Sequence, residues 1–566
     1  MPDASSIEPM KILIVGGYGT FGGRLAHLLA AESALTLIIA GRSEKSARAF
    51  CAKLAEGAKK LPTRFDRDGD LDAQLQAIAP DLLVDATGPY QFYGKVPYRV
   101  IKACIAAGIH YMDLADGSDF VKHVAQFDDA AKAKGVYVLS GVSSFPVLSA
   151  AVVRYLAHDM VTLRTIHGGI APSPYAGVGL NVIRAIAGYS GQRVPMVRDG
   201  KPGHGYPLTE SMRYTICPPG YLPLRNLRFS LVDVPDLQVL PELWPELESM
   251  WMGAGPVPEV LHRMLNGLAW LVRCKLLPTL SPFAKLIFAV ANTLCWGEDR
   301  GGMFVAVSGR NAAGETVERA WHMIAEGKDG PFIPSMAVEA IVRHSLAGRQ
   351  PAPGARAAMR ELELDDYAQV FGSRAIHWGV WEAVEAAAGL PLYRRILGKS
   401  WDALPEPIRA MHSLSGNIEA RGRASIERGK GLLSRVAATL FGFPAAGEDV
   451  PLTVDFKLEG GVERWRRTFG ARSFVSHQSA GRGRSVRLLV ERFGPFFFGL
   501  ALTFDGARLH LVVRRWSFCG IPLPRVLAPG GESFEHVQDG RFCFHVEIAQ
   551  RWIGLIVRYR GWLELV

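Results

Sequence analysis

Gly17, Gly19 and Gly22 stand in the spacing GxGxxG, and Gly16 and Gly23 bring the run to five glycines in eight residues. Glycine loses more backbone freedom on folding than any other residue, so such a run implies a chain that must turn tightly and approach something closely. On one side lies the stretch 11–15, uninterruptedly aliphatic after Lys11, the pattern of a buried parallel strand. On the other, Leu25, Leu28 and Leu29 recur on one helical face. At a strand-to-helix junction the three glycines serve a tight turn, close approach of backbone to a pyrophosphate, and helix–strand packing. The helix N-terminus adds unpaired N–H groups and a partial positive charge. The chemistry expected is dinucleotide binding, with Gly16, Gly17, Gly19, Thr20, Phe21 and Gly22 around the pyrophosphate.

The second strand, expected over 36–40, ends in Gly41-Arg42-Ser43 with Lys45 close by. An NAD-selective site usually places a carboxylate there to accept from the ribose hydroxyls. A guanidinium in its place can stack on adenine and grip a 2′-phosphate through two hydrogen bonds. Arg42, Ser43 and Lys45 therefore point to NADP, with NAD the less favoured cofactor. Asp66, after a third strand, is placed to accept from the adenine amino group.

Positioning these residues requires strands and helices in alternation. Strands are expected at 82–86, 110–114 and 136–140, with helices at 96–107 and 121–134. That spacing specifies a parallel doubly wound sheet, whose ligands sit at the carboxyl ends of the strands. Three stretches should then surround the cofactor: Thr87, Gly88, Pro89 and Tyr90, then 113–116, then 143–146. Tyr90 and Asp116 are candidates for a catalytic proton donor, though hydride transfer depends more on positioning than on a reactive side chain.

Together, "KILIVGGYGTFGGRLAHLLA", "AGRS", "DATGPYQFYG", "GIHYMDLADGSDF" and "GVSSFP" resemble the saccharopine dehydrogenase-like oxidoreductases, as does the later stretch from "GEDRGGMFVAVSGRN" to "MAVEAIV". The resemblance covers roughly the first 370 residues. It implies a Rossmann domain, then an α+β substrate domain whose sheet often mediates dimerisation, and a chain that returns toward the nucleotide domain. It also implies NAD(P)-dependent redox chemistry at a C–N or C=O centre, and no particular substrate.

Beyond 150 the pattern opens into α+β. A hairpin turning at 311–315 carries His322 between Trp321 and Met323, a third catalytic candidate, with an ordinary sheet histidine as the simpler reading. Residues 261–296 are strongly apolar and split by Pro278 and Pro282. Neither piece reaches the ~18–20 residues of a membrane span. They suit helices covering a substrate pocket or dimer face, or an amphipathic pair lying on a lipid surface.

The 566 residues carry 64 Lys and Arg against 54 Asp and Glu, a formal charge of +10. From 391 onward there are 26 basic and 16 acidic residues, so the whole excess lies in the last part of the chain, the mark of a separate module. Runs of alternating apolar residues there, with a turn at Asp505-Gly506, indicate an antiparallel barrel or curved sheet. This part resembles a C-terminal family of unknown function found fused to such reductases. Trp465, Phe469, Phe496 to Phe498 and Trp562 could line a lipid-sized cavity or form ordinary core. "ERWRRTFG" interleaves basic and aromatic residues without a nucleic-acid recognition motif, so no nucleic-acid partner is expected.

The seven cysteines are scattered without a CxxC pair, which indicates a reducing compartment and no metal site. The polar start MPDASSIEP does not read as a signal peptide, so the expected location is cytoplasmic, with peripheral membrane contact through 261–296 as an addition.

The expected architecture is α/β. A Rossmann doubly wound parallel sheet occupies 1–150, an α+β substrate and dimerisation domain 151–375, and a β-rich domain 391–566. The expected function is an NADP-dependent oxidoreductase that transfers hydride at a C–N or C=O centre of an unidentified small molecule, a bulky and hydrophobic one if 261–296 lines the pocket, with a homodimer as a further expectation. The rival is a non-catalytic lipid-surface or lipid-binding protein that keeps a nucleotide-binding fold.

Overall fold

The computed structural model describes residues 8–94, 96–383, 389–414 and 416–566; the polar start of the chain up to residue 7 lies outside them. The chain divides into two compact units, one of Met1–Met212 with Arg228–His377, the other of Arg213–Leu227 with Trp378–Val566.

The first unit contains the parallel sheet. Its strands are β1 (Met10–Val15), β2 (Leu35–Gly41), β3 (Lys59–Arg64), β4 (Leu82–Asp85), β5 (His110–Asp113) and β6 (Tyr137–Ser140). The order runs β6-β5-β4-β1-β2-β3, and a seventh strand, Gly354–Ala357, adds beside β6. Every pairing is parallel, for example Ile14 between Ile39 and Val84. Ile12, Leu13 and Ile14 are fully buried, as a strand covered on both faces must be. Each such side chain contributes roughly 1.5–3 kcal/mol relative to exposure. The order reverses at β1, which opens a crevice beyond the carboxyl ends of β1 and β4.

Two helix expectations need adjustment. The helix after β4 begins at Arg99 rather than 96. The expected helix over 121–134 is three pieces: a helix Ser118–Lys122, a 3₁₀ turn His123–Phe127 and a helix Asp128–Ala133. The tightened middle turn buries Val124, and beyond it Asp128 Oδ1 accepts from the Ala355 N–H of the returning strand at 3.0 Å.

The unit's second sheet is mixed. Its central strands run Leu227–Leu231, Ser249–Ala254, Met160–Ala171, Gly301–Asn311, Thr316–Ala325. The last two form the expected hairpin, closed by Asn311 N–H donating to Glu315 O at 3.1 Å. Within 261–296 the two prolines fall between a helix Glu259–Arg273 and a helix Ala284–Thr293. Val272, Leu280 and Ala284 pack against Ile183 and Ala187 of the helix Leu180–Tyr189. No helix among the described residues is long and apolar enough to cross a membrane.

In the second unit ten antiparallel strands follow one another, each paired to the next, from Ile418–Arg428 to Gly554–Leu565. The first and last strands pair from Ala420↔Leu565 to Arg428↔Val557, which closes the sheet into an up-and-down barrel. Side chains alternate in and out. Leu452, Val454, Phe456 and Trp465 face the core, joined by Leu392, Tyr393, Ile396 and Trp401 from the helical lead-in.

Candidate active site

The glycine loop leaves the end of β1 and enters α1 (Thr20–Leu29), with Gly19 as the N-cap. The tight turn falls on Gly16, whose φ is +77°, and not on Gly17. The Gly16 and Gly17 N–H groups donate to Ala40 O at 2.9 and 3.0 Å, pinning the loop to β2. A Cβ on Gly22 would lie 2.4 Å from the Gly16 carbonyl oxygen, so only glycine lets α1 come this close. No side chain caps α1 and its first turn holds no acid, so its N–H groups stay available for an anion. This cradle fits a pyrophosphate.

At the end of β2, Gly41 is bare because the ring of Tyr18 lies against it; a Cβ there would meet the Tyr18 hydroxyl at 2.6 Å. The hydroxyl accepts from the Ser43 N–H at 3.1 Å. Ser43 in turn caps α2 (Glu44–Cys51), its side chain accepting from the Ser46 N–H at 3.2 Å. Arg42 and Lys45 are exposed. No carboxylate stands at the strand tip. The neighbouring Glu44 pairs with Arg48 at 2.8 Å. Asp66 follows β3 in a loop held by Gln74, which accepts from the Asp66 N–H at 2.8 Å and donates to its carbonyl at 3.0 Å.

The end of β4 is a polar knot. Buried Asp85 accepts from Thr87 N–H at 3.0 Å and Thr87 Oγ1 at 2.6 Å, and Tyr93 lies 3.3 Å from its second oxygen. Burial raises the Asp85 carboxyl above the usual range. The Arg67 guanidinium lies 3.2 Å from the Tyr93 ring centroid. Tyr90 is buried and its hydroxyl donates to the Asp85 main-chain oxygen at 2.6 Å, a bond that fixes the Thr87–Tyr90 turn. Asn181, from the helix Leu180–Tyr189, donates to Thr87 O at 3.1 Å and Gly88 O at 3.0 Å. Arg24 Nη2 donates to Ala176 O at 3.1 Å, and a Cβ on Gly179 would lie 3.1 Å from Thr20 Oγ1. The segment 176–181 thus forms one wall over the glycine loop and the β4 turn.

Beyond β5, Asp113 is fully buried. It accepts from Gly141 N–H at 2.8 Å, Ala115 N–H at 3.0 Å and Ser140 Oγ at 2.9 Å, and burial still pushes it up to about 7. Asp116 accepts from Gln91 Nε2 at 3.3 Å and burial raises its carboxyl. Asp233 follows the strand Leu227–Leu231 and accepts from Ser118 Oγ at 2.5 Å. Burial first, then the Asp119 and Asp116 charges, push it up to about 6. Two carboxyls held toward their acid form, Asp116 and Asp233, therefore lie within reach of each other's charge.

Sequence reasoning named the glycine loop, Arg42, Ser43, Lys45, Asp66 and the Thr87–Tyr90 turn, and all of them stand at carboxyl ends of strands in one sheet. His322 does not join them: it is buried mid-strand in the mixed sheet, paired with Phe304. Tyr18, Asn181 and Asp233 escaped the sequence reading. Tyr18 fills a variable position of the glycine motif, and the other two carry no local pattern.

Residues 12–139 match the family described as Saccharopine dehydrogenase NADP binding domain. The chain's N-terminal domain is a saccharopine dehydrogenase NADP-binding domain. Residues 404–563 match a second family, a domain of unknown function (DUF4166). The first match sets the class: a nicotinamide-dependent oxidoreductase acting on a small molecule. No curated protein matches this sequence. Among solved structures, apo saccharopine dehydrogenase (L-Glu forming) from Saccharomyces cerevisiae is 14% identical, covers 66% of this chain and 100% of its own, and superposes with a TM-score of 0.47. Biliverdin reductase from Synechocystis sp. PCC 6803, in complex with biliverdin and NADP+, is 13% identical, covers 64% of this chain and 99% of its own, with a TM-score of 0.30.

Proposed function

We propose that this chain is an NADP-dependent oxidoreductase that moves a hydride between nicotinamide and a C–N or C=O centre of a hydrophobic small molecule. The observation that carries the choice of NADP is the end of β2, where Arg42 and Lys45 are exposed, Ser43 is held by Tyr18, and no carboxylate is present to receive a ribose hydroxyl. In this reading Gly16, Gly17, Gly19, Thr20, Phe21 and Gly22 hold the pyrophosphate. Arg42, Ser43 and Lys45 hold the 2′-phosphate, and Asp66 the adenine. Thr87, Gly88, Pro89 and Tyr90 present backbone to the nicotinamide half. Bound there, the cofactor supplies or accepts the hydride. Domain roles follow: 1–150 binds the dinucleotide, 151–375 shapes the substrate site, and 391–566 is an appended module. A cytoplasmic location belongs to the same reading and rests on seven free cysteines.

Titration of the purified protein with NADPH and NADH, followed by nicotinamide fluorescence, tests this directly. Saturable NADPH binding with much weaker NADH binding is expected. A folded sample that binds neither would sink the reading.

Asp116, with Asp233 beside it, is assigned the proton needed at the substrate heteroatom. A general acid must be protonated, and burial holds the Asp116 carboxyl above the ordinary carboxylate range, so reductive turnover, screened on hydrophobic imines and carbonyls, should fall as pH rises through that raised value and deprotonates it. Asp116→Asn should lower kcat by roughly 10²–10⁴-fold, the usual reach of acid–base catalysis, and leave the NADPH Kd unchanged. An unchanged kcat would remove Asp116 from the chemistry.

The helices Glu259–Arg273 and Ala284–Thr293 favour a lipid surface as a peripheral partner. Met264, Leu268, Leu271 and Leu286 are exposed on them, with Lys275 and Lys285 to meet headgroups. Flotation with anionic vesicles should recover the protein, and Leu268→Glu with Met264→Glu should abolish recovery without lowering Tm. Loss of a dimer by the same pair, with no flotation of the parent, would assign the face to a second copy instead.

A further inference from the structure

Ten strands enclose more space than side chains need fill, since eight already leave room for one small ligand. The barrel retains a cavity of about 350 Å³. That is over twice the ~150 Å³ of an apolar cavity that stays dry and takes up benzene. It also falls within the ~300–1,000 Å³ of ligand pockets. Phe469, Phe498, Leu500, Leu511, Val513 and Phe544 are among its walls.

A few polar groups border it. Arg467 is the one basic residue of the lining. Its Nη1 donates to Ser476 Oγ at 2.8 Å, and its Nη2 lies 3.4 Å from Glu491 Oε1. Glu491 also accepts from Ser476 at 2.7 Å and Gln478 at 3.1 Å. Glu535 meets His412 at 2.7 Å and Glu547 meets Arg558 at 2.7 Å. Every acid of the lining has a partner and the single cation is already neutralised. An ionised carboxylate brought inside would lose its hydration with no free counter-charge to replace it. A neutral hydroxyl or carbonyl would instead need one hydrogen bond, from the Tyr393 hydroxyl, Gln478 or Ser533, all of which border the cavity.

The barrel wall has a weak seam. The strand Leu509–Phe518 pairs with Ser533–Gln538 only at Leu509↔Glu535 and His510↔Phe534. Past these, the connecting segment covers the lumen, and Leu527, Pro529 and Gly530 line it. Leu527 is at once a lining residue and 42% exposed, and its neighbour Val526 is 58% exposed. The cavity therefore reaches the surface along a short, irregular segment with an apolar outer side. The helix Leu432–Leu440 repeats the arrangement: Ala437 lines the cavity, and Leu432, Leu433 and Val436 are exposed.

We propose that the C-terminal barrel binds a neutral lipid with one long alkyl or isoprenoid chain ending in a hydroxyl or carbonyl, held in the lumen and exchanged across the Leu527 seam. Nothing in this depends on the nucleotide site.

The test titrates the full-length protein with a pyrene-labelled long-chain alcohol and the matching pyrene-labelled fatty acid. Saturable binding of the alcohol, displaced by the unlabelled alcohol and tighter than the acid, is expected. Leu511→Trp fills the lumen and should weaken the alcohol roughly tenfold or more. Leu527→Glu, at an exposed position that need not disturb folding, should slow uptake. NADPH binding should be unchanged in both variants, which separates this proposal from the oxidoreductase reading. Absence of saturable alcohol binding by the folded protein, binding indifferent to both substitutions, or tighter binding of the acid would each overturn it.

Discussion

Gly22→Ala is expected to abolish NADPH binding while leaving the C-terminal barrel folded. In an ordinary exposed helix the change would be favourable, by about 1 kcal/mol, because alanine restricts the unfolded chain and glycine does not. Here the added Cβ meets the Gly16 oxygen at 2.4 Å, the Gly16 carbonyl carbon at 2.9 Å and the Gly17 Cα at 3.1 Å. All three are backbone, so nothing can swing aside. Relief requires α1 to move off the loop, and overpacking of that kind costs about 1–3 kcal/mol, enough to outweigh the propensity gain. The displaced turn is the one whose N–H groups must converge on the pyrophosphate. Affinity should fall more than roughly a hundredfold, about 2.7 kcal/mol. Gly23→Ala is the control: its Cβ meets only the tip of Phe50 at 3.2 Å, a side chain that can turn away. It should bind NADPH within a few-fold of the parent. Normal binding by Gly22→Ala would remove the glycine loop from the cofactor site.

The two variants differ by one position; the GxGxxG spacing separates them, and the structure supplies the contacts that explain why. The spacing marked Gly22 correctly, because helix–strand approach is a local property of a strand–loop–helix unit. It misplaced the tight turn by one residue, on Gly17, since φ depends on how the loop is pinned to Ala40 of β2. The doubly wound sheet was legible because buried parallel strands read as continuous apolar runs. The barrel was legible as antiparallel β and no further. Alternation reveals which face is buried, whereas closure depends on Ala420 meeting Leu565 across the whole module. Asn181 and Asp233 were invisible for a similar reason: each reaches the crevice from a segment far along the chain, Asn181 to Gly88 across 93 residues and Asp233 to Ser118 across 115. Tyr90 shows the reverse error of emphasis. A tyrosine at a strand's carboxyl end invites a catalytic role, yet its hydroxyl is bonded to the Asp85 carbonyl.

Arg42→Asp should invert cofactor preference. Arg42 is exposed, but its position is fixed on both sides: Gly41 admits the Tyr18 ring, and Ser43 is tied to the Tyr18 hydroxyl and caps α2. A hydrogen bond to a charged group contributes about 1.5–3 kcal/mol, so losing the guanidinium should weaken NADPH by roughly ten- to a hundredfold. The new carboxylate acts twice more. It repels a 2′-phosphate, and it offers the free 2′-hydroxyl of NADH the acceptor that NAD sites usually supply. NADH binding should hold or improve while NADPH binding collapses. Because the arginine is exposed, the parent's preference for NADPH should shrink as salt rises and the Debye length falls from ~10 Å at 0.1 M toward ~3 Å at 1 M. Lys45→Ala should repeat the effect more weakly, since a lysine offers a point charge without the planar fork. Equal weakening of both nucleotides by Arg42→Asp would mean that the substitution disturbed the Tyr18–Ser43 clasp, and Tyr18→Phe would then reproduce it. No change in either would place the 2′-phosphate elsewhere and leave the end of β2 without a role in choosing the cofactor.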